Sequence, residues 1–191
     1  MKTSWIRSTS AAVATAMLAA WAAPAQSFTI VTPEYLARGY QPDLVRQTAA
    51  AGGLAVDVRG GETVDGERLA RATVAAVRAA RLGRAAPLRV DPATAAGSSE
   101  LVVVFDPAVN TRYHNMCQGE RATRGDSLAT VRMTLCHDGA PVSSVTAHNS
   151  GVADPGGAAF TALVSRAATA LYPRRDGDQG GDAFHNRYQR N

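Results

Sequence analysis

The run Leu101-Val102-Val103-Val104-Phe105 does most to limit what this chain can become. It lies between Glu100 and Asp106-Pro107 and shows no polar alternation, so it reads as a central strand buried on both faces. Such a strand sits inside a sheet. The rest of the chain has to supply its neighbours and its cover.

The neighbours are found by periodicity. Leu54, Val56 and Val58 alternate with Ala55, Asp57 and Arg59, the period of a half-buried strand, and Gly60-Gly61 follows as a turn. Between Thr130 and Cys136, Val131, Met133 and Leu135 alternate with Arg132 and Thr134. A second run from Val142 to Thr146 comes after Asp138-Gly139, and two such runs joined by Asp-Gly predict a hairpin. Phe28 to Val31 predicts a short first strand that Pro33 ends, with Tyr35 to Tyr40 as a turn or a single helical turn. Leu88 and Val90 predict a short edge strand before Pro92.

The cover comes from helical spacing. From Asp65 onward, Leu69, Thr73, Ala76, Val77 and Ala80 recur at three and four while Arg68, Arg71, Arg78 and Arg81 take other faces, which predicts an amphipathic helix ending near Gly83. Phe160, Leu163, Val164, Ala167, Ala168 and Leu171 predict a second helix, closed by Pro173. A shorter helix is expected from Pro42 and Asp43 through Leu44, Val45 and Thr48 to Gly52-Gly53. Asn110 to Ser127 has no periodicity and reads as a long loop. Alternating early units followed by a meander predict an α+β fold, rather than a doubly wound one: a mainly antiparallel sheet of about four to six strands with two or three helices packed on one face.

The N-terminus has the pattern of an export signal. Lys2 and Arg7 precede an uncharged run from Ala11 to Ala22, and Ala23-Pro24-Ala25 supplies small residues for cleavage after Ala25. The run is shorter than the roughly 20 apolar residues a membrane span needs, so no stable membrane insertion is expected once the signal is removed. Gln26, not cysteine, follows, so a lipid-modified cysteine is not expected. Residues 26 to 173 then form one globular domain, and 174 to 191, rich in Gly, Asp, Arg and Asn, form a disordered tail.

Export changes how charge and cysteine are read. The formal charge of the whole chain is +4, and losing Lys2 and Arg7 halves it. With so small an excess and no basic run interleaved with aromatics, nucleic acid is not an expected partner. Lys2 is the single lysine, so the mature chain cannot form a lysine Schiff base or use a P-loop lysine. No cofactor is implied. Cys117 and Cys136 make an even count in a small exported protein and predict a disulfide, which would stabilise the fold by roughly 3 kcal/mol.

Two constellations compete with a purely structural role. His114, Cys117, Cys136 and His137 would gather imidazole and sulfur suited to copper or zinc if both thiolates were free, an alternative the disulfide opposes. Gly125-Asp126-Ser127-Leu128 spells the opening block of GDSL-type serine hydrolases, and Asp182-Ala183-Phe184-His185 is similar to their late block. Ser127, Asp182 and His185 would then be nucleophile, acid and base. Against this, charged residues precede Ser127 where a buried strand should lead in, and His185 lies in the expected tail. Arg124-Gly125-Asp126 also spells a cell-adhesion tripeptide, read here as an exposed turn.

Met116-Cys117-Gln118-Gly119, then Leu135-Cys136-His137-Asp138-Gly139 and Pro141-Val142-Ser143-Ser144, set between the signal segment and the late helix, resemble small uncharacterised exported proteins of high-GC Gram-negative bacteria. That resemblance implies a periplasmic or secreted location and no particular activity. The expected function is a soluble, non-enzymatic binding or accessory domain of the cell envelope, its partner an envelope protein or a small ligand.

Overall fold

A computed structural model describes residues 28–38, 40, 53–80, 88–89, 99–120 and 122–172. The export signal expected over 1–25, the short helix expected after Pro42 and the tail expected over 174–191 lie outside the described residues. The strands are β1 (Ile30–Leu36), β2 (Leu54–Arg59), β3 (Leu88–Arg89), β4 (Ser99–Phe105), β5 (Thr130–His137) and β6 (Ala140–His148). The helices are α1 (Gly66–Ala79), α2 (Tyr113–Cys117) and α3 (Ala158–Leu171). The six strands form one sheet in the order β1-β6-β5-β4-β2-β3. β1, β6, β5 and β4 pair antiparallel, while β2 runs parallel to both β4 and β3. This is the expected α+β architecture, mostly antiparallel.

β4 lies where its composition requires. Leu101 through Phe105 are all fully buried. Leu101, Val103 and Phe105 join the main core with Leu54, Val56, Val131, Met133 and Val145, under the two long helices. α1 is opened by Asp65, whose carboxylate accepts from the Glu67 and Arg68 amides. It buries Leu69, Thr73, Val74 and Val77, while α3 buries Phe160, Leu163, Val164 and Leu171 and stacks Phe160 on Phe105 at 5.5 Å. The two long helices pack on each other and on one face of the sheet.

The other side of β4 is covered differently. Val102 and Val104 face Met116 and Cys136 in a separate small cluster, so a five-residue helix that periodicity could not detect covers β4 on the second face. The loop expected from Asn110 to Ser127 therefore contains α2.

Two turns are fixed by backbone chemistry. Asp138 and Gly139 both adopt left-handed φ, 51° and 74°, as a two-residue hairpin requires. The first strand departs from expectation: β1 runs through Pro33 to Leu36 instead of ending at the proline. β1 is an edge strand, where a proline costs no hydrogen bond on its open side, and the register shift between Pro33 and Tyr35 absorbs the irregularity.

Gly60 closes β2 with φ of 93°, and a Cβ there would stand 2.4 Å from the Phe105 carbonyl oxygen. Gly60→Ala combines left-handed strain with a backbone clash that no rotamer relieves. It should lower stability by at least about 2 kcal/mol, read as a reduced urea midpoint at unchanged slope.

Candidate functional site

The second sheet face has two halves. Under α2 it is dry, with Val102, Val104, Met116 and Cys136 packed together. Toward β6 and β1 it is polar, because the alternate positions of β5 and β6 carry Arg132, Thr134, Ser144 and Thr146. At the boundary lies an open cleft of about 570 Å³, lined by Glu34, Val109, Thr111, Arg112, Tyr113, His114, Asn115 and Arg132.

Its floor is an ion pair between residues 98 apart in sequence. Arg132 donates to Glu34 Oε1 from Nη2 at 2.9 Å and from Nε at 3.2 Å, and Nε also reaches Thr146 Oγ1 at 3.0 Å. The third guanidinium nitrogen, Nη1, donates to the Thr111 carbonyl. Thr146 donates to Glu34 Oε1 at 2.6 Å, and Ser144 to Glu34 Oε2 at 3.4 Å. Thr134 extends the network between Ser144, at 3.0 Å, and the Met116 sulfur. With about four-fifths of each side chain shielded from solvent, removing either partner would strand the other's charge away from water.

The wall is aromatic. Tyr35 and Tyr113 stack with centroids 4.6 Å apart, and His114 lies 4.3 Å from Tyr113 and 5.7 Å from Tyr35. Tyr35 comes from the bulged stretch of β1 and Tyr113 opens α2, so the stack joins sheet edge to helix. Arg112, exposed just before α2, makes no ion pair among the described residues.

Cys117 and Cys136 are bonded, with Cα atoms 5.6 Å apart, tying the end of α2 to β5. Both sulfurs are therefore unavailable as thiolate ligands in this state. The two flanking histidines go to different places: His114 joins the cleft, whereas His137 meets Ser99 Oγ through Nδ1 at 2.7 Å and Asp138 Oδ2 through Nε2 at 3.5 Å. Among the described residues no group of three or more His, Cys, Asp or Glu could hold a metal.

Ser99, His137 and Asp138 stand in a line that has the residue types of a hydrolytic triad. Ser99, however, is only 2% exposed, and the carboxylate comes from the exposed hairpin turn, so the hydroxyl offers a substrate no approach. Ser127 is exposed between two bends and accepts from the Ala129 amide at 3.2 Å. Asp182 and His185 lie outside the described residues. In the adhesion-like tripeptide, Arg124 is held by Asp106 at 3.0 Å.

Sequence reasoning missed Glu34, Tyr35, Arg112, Tyr113 and Arg132. Arg132 reads as one more outward polar position on an alternating strand, and nothing local links it to Glu34. The adjacent rings of Tyr113 and His114, inside a segment otherwise poor in aromatics, were the one usable signal.

Among the described residues no helix is long and apolar enough to cross a membrane. No protein-family model and no curated protein matches the chain. Among solved structures it is similar to the PelC dodecamer from Paraburkholderia phytofirmans, at 18% identity and a TM-score of 0.43, over 78% of this chain and 100% of that one. A point variant of the same PelC gives 19% identity and 0.40, over 77% and 99%. Likeness at this level carries no functional argument, and the site must speak for itself.

Glu34→Ala strands the Arg132 guanidinium and the Thr146 hydroxyl, and should cost about 2 kcal/mol, with Glu34→Gln costing roughly half as much because the amide oxygen still accepts. Denaturant titration of both variants measures the difference.

Glu100, opposite Cys136 in the ladder, has its carboxyl pushed above the ordinary carboxylate value by burial, with the Arg59 guanidinium offsetting part of the rise. The folded state binds that proton more tightly than the unfolded chain does. Its contribution is thus fully present below the ordinary carboxylate pKa and is lost as pH rises through the raised one. Glu100→Gln should gain stability at neutral pH and change little in acid, as thermal melts across that range would show.

Proposed function

We propose that the chain is exported to the periplasm or beyond and acts there as a soluble, non-enzymatic binding or accessory module of the cell envelope. Its ligand site is the cleft between α2 and the sheet. The ligand is a small anion with a flat or ring-shaped body.

The observation that carries this is the convergence of the exposed Arg112 guanidinium, which makes no ion pair among the described residues, with the rings of Tyr113 and His114 over a floor whose charges already cancel. A guanidinium favours a carboxylate or phosphate, and ring edges and faces favour a planar apolar body. Glu34 Oε1 already accepts three hydrogen bonds, so it is occupied in holding the floor and is not poised to take a substrate's proton. Few polar groups placed around a concave, partly apolar wall is the usual composition of a small-molecule site.

Export is supported by Lys2, Arg7, the uncharged run and Ala23-Pro24-Ala25, together with a cysteine pair positioned to bond.

Intact mass of the protein recovered from the periplasm should begin at Gln26 and be two hydrogens lighter than the reduced chain. Retention in the cytoplasm with Met1 in place would overturn export. For the site, benzoate serves as the probe: ring-proton NMR signals of Tyr35, Tyr113 and His114 should shift saturably with benzoate, and Arg112→Ala should weaken that binding roughly tenfold, the loss of one charge-assisted contact. Benzoate shifts that never saturate, or that Arg112→Ala leaves unchanged, would sink the ligand assignment.

A further inference from the structure

We infer that the Cys117–Cys136 bond is the device that assembles the cleft, so that the site exists in the oxidised protein and is dismantled when the bond is reduced. The inference concerns regulation of the site proposed above and rests on that reading for its biological meaning, though not for its structural content.

α2 cannot stand alone. It has five residues, far below the length at which an isolated helix persists in water, and Arg112 at its N-cap makes no side-chain capping bond. The segment nevertheless supplies Tyr113, His114 and Asn115 to the cleft, with Arg112 and Thr111 immediately before it. Whatever holds α2 on the sheet therefore holds most of the cleft wall.

Several contacts do so, among them the Thr134 hydroxyl on the Met116 sulfur and the Tyr35–Tyr113 stack. Met116 is fully buried against Val102 and Val104, the Arg132 Nη1 donates to the Thr111 carbonyl, and Cys117 is bonded to Cys136. Of these only the disulfide is covalent, and it sits at the last residue of the helix. The stack of Tyr35 on Tyr113 also joins α2 to the sheet edge, and it too is noncovalent.

The bond can be worked from one side. Cys136 is 3% exposed, whereas Cys117 is half-buried, so an attacking thiolate reaches the Cys117 sulfur and Cys136 leaves. Reduction by a dithiol breaks the S–S bond, delivers two electrons and two protons to the two cysteines, and leaves the reductant as its own disulfide. The reverse occurs on export: the Cys117 thiolate attacks the disulfide of an oxidant protein, and Cys136 resolves the mixed disulfide, releasing the oxidant as a dithiol. A chain still in the reducing cytoplasm would accordingly have its sheet and long helices but no finished cleft, and would take up its ligand only after export.

Hydrogen exchange on the full mature chain tests this, comparing oxidised protein with protein reduced by a phosphine and alkylated at both thiols, and with Cys117→Ser, which leaves the buried Cys136 in place. Exchange across residues 111–118 should accelerate roughly a hundredfold on breaking the bond, the loss expected for a loop of this length, while β4 and β5 keep their protection. The tyrosine bands in near-ultraviolet circular dichroism should weaken in parallel.

Unchanged protection of 111–118 in the reduced protein would overturn the inference, because the noncovalent contacts of Met116, Tyr113 and Thr111 would then suffice. Loss of protection throughout β4, β5 and β6 would overturn it too, since the bond would be holding the whole fold. If benzoate fails to bind even the oxidised protein while the exchange result stands, the ligand assignment falls and the redox assembly of the wall remains.

Discussion

The burial of β4 on both faces is the constraint from which the other arrangements follow. Its five central residues are excluded from water, yet only one face lies under the long helices. Leaving Val102 and Val104 open would expose apolar surface beside the polar strip on β5 and β6. The chain covers them with Met116 on a short helix and the bonded Cys117 and Cys136 beside it, the methionine being a flexible side chain that fills irregular space without demanding a long partner element. Because so small a cover contributes limited apolar area, it needs reinforcement. The disulfide provides it at the point where the cover ends.

That economy places the cleft. A long helix would have spread across β6 and β1 and buried the polar strip, whereas α2 stops at the boundary and leaves Arg132 and Glu34 beside open space. The irregular register at Pro33 and Tyr35 matters here, since a regular strand sends neighbouring side chains to opposite faces. With the bulge, Glu34 reaches Arg132 and Thr146 while Tyr35, its neighbour, reaches Tyr113 on the same side. An edge-strand proline that looked like a terminator is part of how two adjacent residues serve one site.

The parts of the fold that repeat a pattern were legible in the sequence, and the site was not. β4, the Asp138-Gly139 hairpin and both long helices follow from local periodicity and turn chemistry, which act over a few residues. The Cys117–Cys136 pairing followed from counting. α2 leaves no trace because five residues hold barely one helical turn and produce no periodicity, and the full length of β1 is hidden because a proline ends a central strand but not an edge one, and edge position is not a local property. The cleft escaped for a different reason: Glu34, Tyr113 and Arg132 meet only after β1 and β5 have taken places on either side of β6, information that resides in the strand order.

Strand order must also be protected against sliding. Arg132 lies between Val131 and Met133, both fully buried in the main core, so a one-residue slip of β5 would drive a guanidinium under α3 and lift two apolar side chains into the polar strip. The paired Glu34 and the bonded Cys136 penalise the same slip from the other face, each by losing a partner fixed on a different element. The tight Asp138-Gly139 turn removes the loop slack that slipping would need. Partly buried ion pairs often add little net stability, but here the pair distinguishes one register from the next, and the same register is what brings floor and wall of the cleft together.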